Sequence, residues 1–129
     1  MIVKFRNFFR SFTHAWRGII SGSQGKNIRI QFFFGLLILL AGVIFQISFI
    51  EWLIVLTLIA LVLGAELINT AVEEVCNIIK DFPGIHPKAT KEARDIAAGS
   101  VLVICIGAGI VGLFIFMPKL LEIIFGLIS

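Results

Sequence analysis

Uncharged apolar runs and one amphipathic stretch divide the chain into four segments. Phe32 to Ile50 is 19 residues without a charge, close to the roughly 20 needed to cross a hydrocarbon core of about 30 Å. Ile96 to Met117 is also uncharged and stops before Pro118. Between them, Trp52 to Ala65 is apolar except for Thr57, and the helical pattern then continues past Glu66 through Leu67, Ile68, Ala71, Val72, Val75, Ile78 and Ile79. The pattern predicts helices over 30–50, 52–79 and 96–117, the middle one about 42 Å long and projecting from the membrane on one side. At the head of the chain Phe5, Phe8, Phe9, Phe12, Ala15, Trp16, Ile19 and Ile20 recur at helical spacing, with Lys4, Arg6, Arg10, His14 and Arg17 largely between them. That is the pattern of a basic helix lying in a membrane interface, and it predicts one over 4–22. The expected architecture is an all-α membrane protein, forming a single domain over 1–129. It has a surface helix, three spanning helices and a polar loop over 80–95.

Composition agrees. Apolar residues make up 59% of the 129 and charged residues 15%, whereas a soluble domain is about half apolar and about a quarter charged. A disordered chain is excluded by the same numbers. Cys76 and Cys105 lie in helical stretches with no partner motif, so neither a disulfide framework nor a zinc site is expected. No cleaved leader is expected, because the first apolar run starts late and lacks a small-residue cleavage site.

The layout of charge orients the chain. Residues 1–50 carry six Lys or Arg and no acid, while all eight acids lie between Glu51 and Glu122. In so apolar a chain an anionic membrane surface accounts for that basic half better than nucleic acid does. Lys80, Lys88, Lys91 and Arg94 mark a second basic segment, and the link between the first two spans has no basic residue. The positive-inside bias puts the N-terminus and the 80–95 segment in the cytoplasm. The chain is expected to cross the membrane three times.

Polar residues inside the spans carry the functional signal. Helix 52–79 holds Glu66, Asn69, Thr70, Glu73 and Asn77. At 100° per residue Glu66, Glu73 and Asn77 fall within about 20° of one line, flanked by Asn69 and Thr70. A carboxylate within a span costs about 2.5–3.5 kcal/mol on insertion scales, so it usually faces a partner or a cavity. The other half of the helix offers only Thr57, which argues against a pore. Carboxylates that bind Mg²⁺ or take a proton, with cations nearby to neutralise phosphate oxygens, make up the equipment of phosphoryl transfer. The plainer reading is that these groups join helices by hydrogen bonds, but three strong polar groups within eight residues favour a site. Gly22 to Asn27 (GSQGKN) lacks the glycine and hydroxyl positions of a phosphate loop.

The run Glu66-Leu-Ile-Asn-Thr-Ala-Val-Glu73, then His86-Pro87 and Ala93-Arg-Asp-Ile-Ala-Ala-Gly-Ser-Val-Leu102, resembles the bacterial membrane diacylglycerol kinase and undecaprenol kinase family. The similarity extends to Ala15-Trp16-Arg17-Gly18 and to Asn27-Ile-Arg29. The resemblance implies a homotrimeric lipid kinase, dependent on ATP and Mg²⁺, with sites shared between protomers. Its substrate is diacylglycerol or undecaprenol, phosphorylated at the cytoplasmic interface. Carried onto matching positions, Glu66 is the base on the lipid hydroxyl and Glu73 a metal ligand. Asn69 orients substrate or nucleotide, and Arg94 and Asp95 order the phosphate-binding region. Arg17, Asn77 and His86 join Glu73, Arg94 and Asp95 in the implied nucleotide set.

Three positions depart from the family's usual pattern. Gly25 stands where a metal-site Glu is usual, Arg94 where Lys is usual, and Asn77 where Asp is common. Arg keeps the charge of Lys but presents a planar fork. These departures bear on turnover more than on fold. They leave open a second reading, a non-catalytic member of the family that binds lipid or nucleotide and oligomerises.

Overall fold

The computed structural model describes the backbone of residues 2–84 and 87–126, and side chains from Arg10 onward except at 85–87 and 89. Four helices make up the described chain: α1 (Ile2–Gly22), α2 (Lys26–Ile44), α3 (Phe49–Lys80) and α4 (Pro87–Gly126). The last three are long and apolar enough to cross a membrane. The helices fall on the four expected segments with shifted bounds, most of all in α2, which ends at Ile44 so that Phe49 and Ile50 start α3, and in α4. α4 starts at Pro87, which takes Lys88, Lys91, Arg94 and Asp95 out of the expected 80–95 loop and puts them on its first turns. Proline suits that position because the first turn of a helix has no partner for its N–H. α4 also runs through Pro118 instead of stopping there. Proline forfeits one backbone bond inside a helix, but at the far end of a span water can satisfy the carbonyl that is released.

Local chemistry explains the sharp α2–α3 hairpin. Gln46 adopts the left-handed conformation, with φ 48°. Its N–H donates to the Val43 carbonyl at 3.2 Å, and the Ile47 N–H donates to the Gly42 carbonyl at 3.1 Å. This pair of bonds is the Schellman termination. Ser48 then caps α3: the Glu51 N–H donates to Ser48 Oγ, and the Ser48 N–H donates to Glu51 Oε2 at 2.6 Å. The reciprocal arrangement satisfies two donors that the helix start would otherwise leave open. Glu51 Oε2 also lies 3.3 Å from Lys119 Nζ, tying the hairpin to α4.

Packing is organised on α3. On α4, Thr90, Arg94, Ala97, Val101, Ile104, Ala108, Val111 and Ile115 are buried or half-buried, alternately four and three residues apart. On α3 the same spacing runs through Trp52, Val55, Ile59, Val62, Glu66, Asn69, Glu73 and Cys76. A 3.5-residue repeat on both partners is the seam of a coiled coil, here antiparallel. α2 lies against the same helix through Ile28, Gly35 and Gly42, seven residues apart and all buried. The register is read from its glycines. A Cβ on Gly35 would touch Ile59, and one on Gly25 would stand 3.9 Å from Thr70 Oγ1. α1 meets the bundle at its end, where a Cβ on Gly22 would come within 2.5 Å of Leu67 Cδ2.

Gly42 allows the closest approach of α2. A Cβ there would stand 2.8 Å from Trp52 Cη2 and 3.1 Å from Ile47 Cδ1, and an indole ring cannot step aside as an aliphatic tip can. Gly42→Val is expected to destabilise the protein by about 1–3 kcal/mol through overpacking. Gly35→Ala, whose new methyl would meet Ile59 at an ordinary 3.6 Å, is expected to be nearly neutral. Unfolding midpoints of the two variants in one detergent check the contrast.

Candidate active site

The polar residues of α3 sit where the basic end of the bundle begins. Glu66 is 4% exposed and Asn69 3% exposed, although Glu66 meets no cation in an ion pair among the described residues. Their burial follows from the seam: both occupy positions that would be apolar in an ordinary coiled coil. Asn69 Nδ2 donates to Glu73 Oε1 at 3.4 Å, and the Thr70 hydroxyl donates to the Glu66 carbonyl at 2.9 Å. Asn69 Oδ1 is buried and accepts no hydrogen bond. Such an orphan acceptor costs about 1–3 kcal/mol, so the geometry favours a donor arriving from outside the chain. Glu73 and Asn77 are half-buried further along the same face, while Glu74 points away and is exposed.

Other expected site residues are placed less closely. Arg94 is half-buried on the α4 stripe that faces α3, but Asp95, one residue on, is exposed. Neither makes a hydrogen bond or ion pair with Glu66, Asn69 or Glu73. Arg17 is exposed on α1. His86 lies outside the described residues. The structure therefore joins Glu66, Asn69 and Glu73 within one chain, and leaves Arg17, Arg94 and Asp95 open to groups beyond it. Gly25 stands at the start of α2 beside Thr70, within a helical turn of Glu66 and Glu73 along α3. The sequence located the carboxylates but not two neighbours. Ile28, 1% exposed, closes the bundle at the level of Glu66. Gln31, whose Nε2 donates to Cys105 Sγ at 3.6 Å, stands one turn further into the span. An amide bordering an apolar run was the available signal for Gln31.

Metal binding can be tested against this donor set. Among the described residues no group of three His, Cys, Asp or Glu side chains gathers as a metal cage. Mg²⁺ does not need one, since it is commonly held by one or two carboxylates with phosphate oxygens and water. Glu73, with one oxygen beyond its bond to Asn69, fits that role. Cys76 is buried, Cys105 is half-buried, and both are free thiols.

A helical membrane bundle with a buried carboxylate, Glu66, and the half-buried Glu73 at its basic end defines the class. The family model described as prokaryotic diacylglycerol kinase matches residues 13–116. The chain is 40% identical to the undecaprenol kinase of Bacillus subtilis, over 88% of this chain and 90% of that one. It is 34% identical to a diacylglycerol kinase of a Synechocystis species, over 91% of this chain and 66% of that longer one. No solved structure matches. The chain belongs to the prokaryotic diacylglycerol kinase family and is a membrane lipid kinase.

Proposed function

We propose that the chain transfers the γ-phosphate of ATP to the hydroxyl of a membrane lipid, undecaprenol or diacylglycerol, at the cytoplasmic face of the inner membrane. The observation that carries this reading is the group of buried Glu66 and Asn69 with half-buried Glu73, and its orphan Asn69 Oδ1. Glu66 takes the proton of the lipid hydroxyl as its oxygen bonds to the γ-phosphorus. The bond to the β-phosphate bridging oxygen breaks, and ADP leaves. Asn69 Oδ1 accepts from a donor on lipid or nucleotide, while its amide holds Glu73 in place. Mg²⁺, with Glu73 as a protein ligand, supplies neutralisation of phosphate charge. Arg94 and Arg17 oppose the remaining phosphate charge as it shifts to the leaving oxygen, with Asp95, Asn77 and His86 completing the nucleotide side.

In this reading the protein is a homotrimer. Support comes from Arg17, Arg94 and Asp95, which do not reach the carboxylates of their own chain and would complete a neighbour's site. α1 lies in the interface with Phe12, Trp16, Ile19 and Ile20 exposed for insertion among headgroups. The N-terminus and the α3–α4 link face the cytoplasm, as the positive-inside bias requires. Phosphorylation of lipid by purified protein, ATP and Mg²⁺ in mixed micelles tests the whole reading; trimeric, ATP-binding protein that phosphorylates neither lipid sinks it.

Gly25 favours the alternative, a non-catalytic family member, because it removes a carboxylate. The backbone there is ordinary, φ −61° and ψ 148°, and a Cβ would meet the Gly22 carbonyl oxygen, Ile28 and Thr70 only at 3.5 to 3.9 Å. Gly25→Glu is thus accommodated, at a helix start that favours negative charge. We expect it to lower the Mg²⁺ concentration for half-maximal rate several-fold and to raise turnover. Magnesium titration of both proteins decides: an unchanged rate and metal dependence would show that Gly25 is not a gap in the metal site.

A further inference from the structure

Every residue of α1 from Arg10 to Ser21 is exposed. The helix meets the bundle at its last turn, where Gly22 stands against Leu67. Phe12, Trp16, Ile19 and Ile20 share an arc of about 100° and all four are exposed. Arg10 and Arg17 lie within about 20° of each other on one flank of that arc. The first turn of α2 adds Lys26 and Arg29, also exposed. No acid precedes Glu51 in the chain, and among the described residues none of these four cations makes an ion pair.

Lys26 and Arg29 stand at a helix start, which is already positive, and Gly25 supplies no side-chain cap there. Anions from outside the chain relieve that crowding of positive charge. An acidic bilayer surface provides them while its acyl boundary takes the apolar arc of α1. Charge separates it from a zwitterionic surface. Each Lys or Arg near acidic lipid is held about five-fold more strongly.

The link from α1 to α2 is short and bonded. The Ser23 N–H donates to the Ile19 carbonyl at 2.9 Å, the Ser23 hydroxyl to the Ile20 carbonyl at 2.8 Å, and the Gly25 N–H to the Gly22 carbonyl at 3.4 Å. A force on α1 therefore reaches Gly22. A Cβ at Gly22 would come within 2.5 Å of Leu67 Cδ2, so the seat depends on glycine. Leu67 follows Glu66 directly along α3.

We propose that α1 and the first turn of α2 form a surface for acidic phospholipid, and that its occupancy sets the kinase rate through the seat of Gly22 on Leu67. The control of rate rests on the lipid-kinase reading above; the surface itself does not.

The test uses the full chain in nanodiscs of phosphatidylcholine, with none, a quarter or half of it replaced by phosphatidylglycerol. Undecaprenol and diacylglycerol are held at one mole fraction. ATP and Mg²⁺ are saturating, because an acidic surface repels the nucleotide. Brominated acyl chains report the depth of Trp16 by quenching its fluorescence, with Trp16→Phe giving the Trp52 background. Quenching is expected to deepen with phosphatidylglycerol, the rate to rise about five-fold or more, and both effects to shrink at high salt. Arg10→Gln with Lys26→Gln should keep the native rate in pure phosphatidylcholine and lose at least about half of the response. Gly22→Val should keep the Trp16 response, which reports that α1 is folded and bound, while its rate no longer follows the lipid.

Trp16 quenching that is the same in all discs overturns the acidic surface. A native rate that stays flat while Trp16 responds overturns the control of rate. A Gly22→Val protein that keeps the native rate response overturns the seat on Leu67 as its route. A native protein that phosphorylates neither lipid in any disc removes the kinase reading and the control of rate, while Trp16 quenching still decides the surface.

Discussion

Glu66→Gln is expected to lower kcat for lipid phosphorylation by about 10²–10⁴, the usual contribution of a positioned general base. The substitution keeps the size of the side chain and its position in the α3–α4 seam, so it removes proton acceptance and little else. Binding of ATP should be unchanged, because in the proposed mechanism nucleotide would meet the site through Glu73 and the basic residues. Stability should hold or rise, since a buried carboxylate facing no cation of its own chain gives way to a neutral amide. Single-turnover rates, nucleotide affinity and the unfolding midpoint separate these effects. A variant that keeps more than a tenth of native kcat would mean that no base is needed. Catalysis would then rest on positioning alone, which a loose phosphoryl-transfer transition state permits.

Ile28→Ala should give the largest loss of stability, about 2–5 kcal/mol. Ile28 is 1% exposed and fills the first turn of α2 against α3. Its removal leaves a hole at the level of Glu66, where α1, α2 and α3 come together and little else can collapse into the space. Water entering that hole would also solvate the carboxylate, so activity and stability should fall together. The unfolding midpoint in detergent, measured beside Ile28→Val, checks the size of the effect. A loss under 1 kcal/mol for the alanine variant would show that this junction is not closed by Ile28. The two substitutions are meant to be compared: Glu66→Gln strikes chemistry and spares the fold, and Ile28→Ala strikes both.

Much of the site was legible because α3 is regular. Helical spacing alone aligns Glu66, Glu73 and Asn77, and hydrocarbon makes any carboxylate within a span conspicuous. The ends of the helices were less legible. The charged 80–95 segment reads as a loop because polar residues break an apolar run, yet from Pro87 onward they form the first turns of α4, since charge and helix are compatible. Pro118 reads as a stop, but α4 continues to Gly126. The α2–α3 turn was legible only in length. Its termination depends on Gln46 taking a left-handed φ, a conformation that Gly or Asn would have advertised and Gln does not.

The sequence by itself determined the class of the protein, the number of helices long and apolar enough to cross a membrane, and the carboxylate stripe. These follow from hydropathy and helical period, each a property of one segment at a time. Tertiary structure decided what depends on two segments meeting. It set the α3–α4 seam that buries Glu66 and Asn69 and leaves Asn69 Oδ1 without a donor, and it placed Gly25 beside Thr70. It also set the Gln31 amide across from Cys105, on a helix 74 residues away in sequence. Helical period states which residues share a face, but only the register between helices states what that face is pressed against.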